Sequence, residues 1–89
     1  MAAPALDLIA LRKRIGLTQA EMADRMGLGS RAYFTLEQDP SSINARHIML
    51  AQIVSLREAV ERHDRSLADT AVAALADEFA RLASTETPA

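Results

Sequence analysis

Between Thr18 and Glu37, apolar residues recur at helical spacing in two short runs separated by a glycine-containing elbow. In the first run Met22, Ala23 and Met26 share one helix face, with Ala23 small enough for a second helix to cross closely. Thr18 and Glu21 have the spacing of a capping box at its start, and Gly27 can take the positive φ that ends it. In the second run Tyr33 and Leu36 face inward, Leu28 turns in ahead of them, and Gly29 or Ser30 provides the cap. The opposite face of that run is Ser30, Arg31, Phe34, Thr35 and Gln38, which are predicted to point outward. A helix, a three-residue turn and a helix give the outline of a helix-turn-helix whose second helix can enter a major groove.

The same periodicity organises the flanks. Leu8, Leu11 and Ile15 predict an amphipathic helix over Leu6 to Ile15, stopped by Gly16. Pro40 breaks the chain between Gln38 and Ser42, and a long helical pattern then runs from about Asn44 to His63. Along it Met49, Ile53, Leu56 and Val60 form a stripe widened by Leu50 and Val54; its N-terminal half is expected beneath the two short helices. Ser66 and Asp69 resemble a cap for a last helix, Leu67 to about Ala83, with Ala68, Val72, Leu75, Phe79 and Leu82 at a/d-like spacing. That helix can fold back on the fourth or pair with its copy. A combination is expected, with Leu56, Val60, Val72, Leu75, Phe79 and Leu82 forming a homodimer surface. The expected fold class is all-α with five helices. Residues 1–5 are expected to be a mobile arm, 6–63 a DNA-binding domain, 64–84 a dimerisation helix and 85–89 a disordered tail.

Composition narrows the function. Eighty-nine residues with 3% aromatic content suit one small domain of packed helices. Without cysteine there is no disulfide, thiolate nucleophile or cysteine-based zinc site. The opening M-A-A-P-A-L-D-L-I-A lacks the basic region of a secretory leader, and no apolar run approaches the ~18 residues of a membrane span. A cytoplasmic protein with no membrane association is expected. No Gly-rich phosphate loop, activated nucleophile or carboxylate cluster marks an enzyme. His47 and His63 stand sixteen positions apart, too far along one helix to share a metal, so no metal or cofactor is expected. His47 is expected at the surface or facing a phosphate.

The segment L-R-K-R-I-G-L-T-Q-A-E-M-A-D-R-M-G-L-G-S, with Leu36 and Glu37 after it, resembles the Cro/C1-type (lambda-repressor-like, Xre-type) helix-turn-helix family over roughly Leu8 to Val54. This chain departs from the family pattern at Gly29, Tyr33 and Asp39, which stand where Ser, Ile or Val, and Gly are usual. The resemblance implies a lambda-repressor-like domain that binds double-stranded DNA. It implies that the Gln19 amide, at a helix N-terminus that already favours an anion, meets the DNA backbone. It also places Ser30, Arg31 and Thr35 against base edges, Arg31 having the planar fork that fits guanine O6 and N7. Gln38 and Arg46 flank the second helix and can hold phosphates. Arg14, in the basic cluster Arg12–Lys13–Arg14, either does the same or belongs to a solvated face. Phe34 either contacts DNA or packs under the Pro40 loop.

Charge leaves a second reading open. The net charge is −2, with five basic and five acidic residues in 1–43 but five and seven in 44–89. The first expectation is a sequence-specific transcriptional regulator, a repressor acting as a homodimer on half-sites about 34 Å apart. The alternative is an antitoxin-like protein-interaction module with weak or no DNA binding, its apolar C-terminal helices docking a protein partner.

Overall fold

The chain is described over residues 6–85 by a computed structural model, with side chains described as far as Leu82. Five α-helices follow one another, with no strand among the described residues: α1 Leu8–Ile15, α2 Gln19–Met26, α3 Ser30–Gln38, α4 Ala45–Arg62 and α5 Thr70–Thr85. Short 3-10 turns at Pro40–Ser42 and Arg65–Leu67 lead into α4 and α5. The arm expected at 1–5 lies outside the described residues, as does 86–89 of the expected tail; Thr85 is the last residue of α5.

Local signals set the helix ends. Asp7 accepts from the Ala10 amide and starts α1 two residues later than its apolar pattern suggests. Thr18 and Glu21 form the capping box of α2, and α1, α2 and α4 close on left-handed residues: Gly16, Gly27 and His63. In each case the next amide reaches back, as from Leu28 to the Ala23 carbonyl at 2.9 Å and from Asp64 to Ala59 at 2.9 Å. Asp39 and Asp64 each hold a serine two residues on, Ser41 or Ser66, and begin the 3-10 turns. Ser66 is therefore spent on Asp64. The cap of α5 is Asp69, which accepts from the amides of Ala71 and Val72 at 3.2 and 3.3 Å, so α5 begins at Thr70 and not at Leu67.

The main core gathers the inward faces of α1, α2 and α3, including Leu11, Ile15, Met22, Tyr33 and Leu36, over α4. Of the apolar stripe of α4, the widening positions Leu50 and Val54 enter it, and Met49, Ile53 and Val60 do not. Ala51, Val54, Ser55, Glu58 and Ala59 are buried, whereas Met49, Ile53 and Val60 are 63%, 47% and 66% exposed. The core-facing side holds small or internally bonded residues because α4 packs against α2, where bulk would separate the helices; Ala23 and Ala51 are both fully buried there. Two of those residues are polar and satisfied. Glu58 accepts from Arg25 Nε and Arg62 Nη2, each at 2.9 Å. Ser55 donates to the Gln52 carbonyl at 2.7 Å and accepts from the Asp69 amide at 2.9 Å.

That last bond pins the start of α5 to α4. Around it Ala59, Leu67, Ala68 and Val72 form a second small core, with Leu56 half-buried against it. Val72 and much of Leu56, both expected at a dimer surface, are thus used within the chain, because the first turn of α5 folds back on α4. Val60, Leu75, Phe79 and Leu82 stay exposed, and every residue from Glu78 to Leu82 is exposed. The molecule measures 51 × 33 × 20 Å. No helix among the described residues is long and apolar enough to cross a membrane.

Candidate nucleic-acid interface

Glu37, near the end of α3, is the polar hub behind the α2–α3 pair. Its carboxylate accepts from Arg12 Nε at 2.6 Å and Nη2 at 3.2 Å, from Gln19 Nε2 at 2.8 Å, and from the Tyr33 hydroxyl. Arg12 also donates to the Leu17 carbonyl at 3.1 Å, so one guanidinium ties α1, the loop before α2 and α3 together. The Glu37 and Arg12 side chains are only 5% and 13% exposed. Burial works against the Glu37 charge, but bonds from Arg12, Tyr33 and Gln19 outweigh it and hold the carboxyl below its ordinary range. Burial, together with the bond to Glu37, pushes the Tyr33 phenol above its ordinary value. The bond to Glu37 raises Arg12.

The hub decides what the outward face of α3 presents. With Glu37 turned in and paired, Arg31 is the only charged side chain on the exposed face of the helix, and it makes no side-chain hydrogen bond or ion pair among the described residues. Ser30, Phe34, Thr35 and Gln38 are exposed beside it. Gln19, Ala20, Ser30, Arg31 and Phe34 line an open hollow of about 570 Å³ between the N-terminal ends of α2 and α3. Gln19 gives one amide hydrogen to Glu37, which orients the group and leaves its second hydrogen for a ligand. The Thr35 hydroxyl donates to the Arg31 carbonyl at 3.1 Å, leaving its oxygen as an acceptor. Phe34 is 46% exposed and lines this hollow, so it is not packed away under Pro40.

Three other expected residues are placed differently. Gln38 ends α3 and Arg46 sits in the first turn of α4, both exposed, and neither lines the hollow. Arg14 points towards α5: its Nη2 donates to the Ala68 carbonyl at 3.3 Å, and it shares a separate depression with Arg65 and Asp77. His47 is held locally, its Nδ1 accepting from the Asn44 amide at 3.1 Å in a capping box. The Arg12–Glu37 pair lay beyond sequence reasoning, as its members are 25 residues apart. The one local clue was the spacing of Tyr33 and Glu37, a single helical turn apart. No family model, curated protein or solved structure matches this chain.

Proposed function

We propose that this chain is a lambda-repressor-like helix-turn-helix protein that binds double-stranded DNA sequence-specifically and regulates transcription, as a homodimeric repressor. One observation carries the reading: an α2–α3 pair joined by a three-residue turn, whose second helix turns its only acid inward and offers Ser30, Arg31, Phe34 and Thr35 outward. In this reading α3 lies in the major groove. Arg31 bonds a guanine edge, Thr35 and Ser30 reach neighbouring bases, and Phe34 lies against a thymine methyl or sugar. Gln19, held by Glu37 at the start of α2, bonds a phosphate, with Gln38 and Arg46 as flanking backbone contacts.

The rival reading, a protein-binding module, also draws on a particular observation, the exposed apolar face of α4 and α5. A second copy of the chain accounts for that face, as argued below, and leaves α3 for DNA.

The test is selection of bound sequences from genomic fragments by the purified protein, then fluorescence anisotropy on the selected duplex and a scrambled one across a salt series. The expected result is salt-sensitive binding that favours the selected duplex. Arg31→Ala should lose about 1–3 kcal/mol of that preference, roughly five- to 150-fold. Failure to enrich any sequence at low salt, or an Arg31→Ala variant with undiminished preference, overturns the proposal.

A further inference from the structure

We infer that a second copy of this chain covers the apolar face of α4 and α5, each copy seating Phe79 in the groove between α4 and α5 of the other. This is the homodimer on which the DNA-binding reading rests, now given a surface and an axis.

Area is the first argument. Of the seven large hydrophobic side chains left exposed among the described residues, all but Phe34 lie on α4 and α5: Met49, Ile53, Val60, Leu75, Phe79 and Leu82. At on the order of 100 Å² apiece they amount to about 600 Å², the upper end of what a monomer leaves uncovered and close to the ~800 Å² each partner buries in a standard interface.

Shape is the second. A groove of about 490 Å³ runs between α4 and α5, lined by Leu56, Ala59, Val60, Ala73 and Ala76 together with the polar His63, Asp64 and Arg65. Its depth comes from the alanines. One turn beyond Ala76, the same helix projects the exposed ring of Phe79. The chain thus carries a knob and a small-residue socket on neighbouring faces, the self-complementary arrangement that a two-fold axis satisfies twice. If two α5 helices cross antiparallel near Ala76, Phe79 of each stands opposite Ala73 of the other, three residues to either side of the axis.

The test needs no DNA. Sedimentation equilibrium at micromolar concentrations should give twice the chain mass. Phe79→Asp should weaken self-association about thirtyfold or more while leaving the circular dichroism and melting of the dilute chain unchanged, since Phe79 is exposed in the monomer. The chain lacks cysteine, so Ala76→Cys gives a single thiol beside the axis; it should form a covalent dimer on mild oxidation, and Arg81→Cys should not. A monomeric wild type, a Phe79→Asp dimer as tight as wild type, or an Ala76→Cys chain that does not cross-link overturns the inference. A dimer behaving as described but binding no DNA would overturn only the functional reading, and a DNA-binding monomer only this one.

Discussion

Replacing Glu37 by Gln keeps the shape of the side chain and removes the charge that four donors address. Arg12, 13% exposed, would lose its counter-ion, and the new amide group would turn hydrogens towards Arg12, Gln19 or Tyr33. Breaking one side of a buried, hydrogen-bonded ion pair costs about 3–5 kcal/mol. Arg12 keeps the Leu17 carbonyl and some contact with water, which favours the lower end, about 3 kcal/mol. For a domain of this size each kcal/mol moves Tm by roughly 4–8 °C, so a fall of about 12–24 °C is expected. Urea unfolding followed by circular dichroism at neutral pH should show the same loss as a lower midpoint with an unchanged slope.

The pH dependence gives the reasoning its sharper test. The folded Glu37 carboxyl lies below its ordinary value of 4.5, so its contribution is complete above that pH and disappears as pH falls through the lowered value. Tyr33 moves the other way. Its phenol lies above the ordinary 10.0, so the hydroxyl's bond to Glu37 contributes fully below that pH and is lost as pH rises through the raised value. The advantage of wild type over Glu37→Gln should therefore be flat from about pH 5 to 10 and narrow in acid below about 4.5. A loss under about 1 kcal/mol at neutral pH, the worth of an exposed pair, would refute the hub. So would a difference that persists undiminished in strong acid.

Three further outcomes follow from the packing. Met22→Ala should cost about 2–5 kcal/mol and Met49→Ala less than about 0.5 in the dilute chain, by thermal melting, because the first side chain is fully buried and the second faces outward. Ser55→Ala removes the oxygen that accepts the Asp69 amide and should cost about 1–3 kcal/mol; hydrogen exchange should show the loss of protection concentrated at the start of α5. His63→Gly relieves the one left-handed non-glycine residue among those described. It should stabilise by about 1 kcal/mol and raise Tm by roughly 4–8 °C.

What the sequence disclosed and what it concealed divide along the range of the interactions. The α2 capping box, the ends at Gly16 and Gly27 and the outward set on α3 all rest on neighbours within a turn, and the sequence alone predicts them. The burial of α4 does not. Periodicity identified the stripe Met49, Ile53, Leu56 and Val60, but an apolar stripe does not say what covers it, and the opposite face reads as mixed because Ser55 and Glu58 lie on it. Glu58 looks solvent-facing until Arg25 of α2, 33 residues away, is brought beside it. The cap of α5 was misplaced for a related reason: Ser66 has the spacing to serve Asp69 but is taken by Asp64. At the candidate interface, the helix face was legible and the hub that orients Gln19 was not.

Long-range pairing also changes what the charge count means. Equal numbers of acids and bases in residues 1–43 argue against affinity for phosphate only if all of them face solvent. Glu37 and Arg12 cancel inside the fold, and Glu58 in the second half takes up Arg25 and Arg62 at the back of α2 and the end of α4. What remains on the outward face of α3 is a single cation, Arg31, because the helix's one acid, Glu37, is turned inward and paired. Such a surface is weak as a general electrostatic trap for nucleic acid and better suited to reading particular bases. It would gain most of its affinity from two copies acting together, since a second tethered contact adds strength without new charge. The outward stripe on α4 lies on a helix whose opposite face packs against α1 and α2, so the dimer proposed above would fix the spacing of two α3 helices. The dimer proposed above would account for a net-acidic chain that has one unpaired arginine on the outward face of α3 and an uncovered apolar flank.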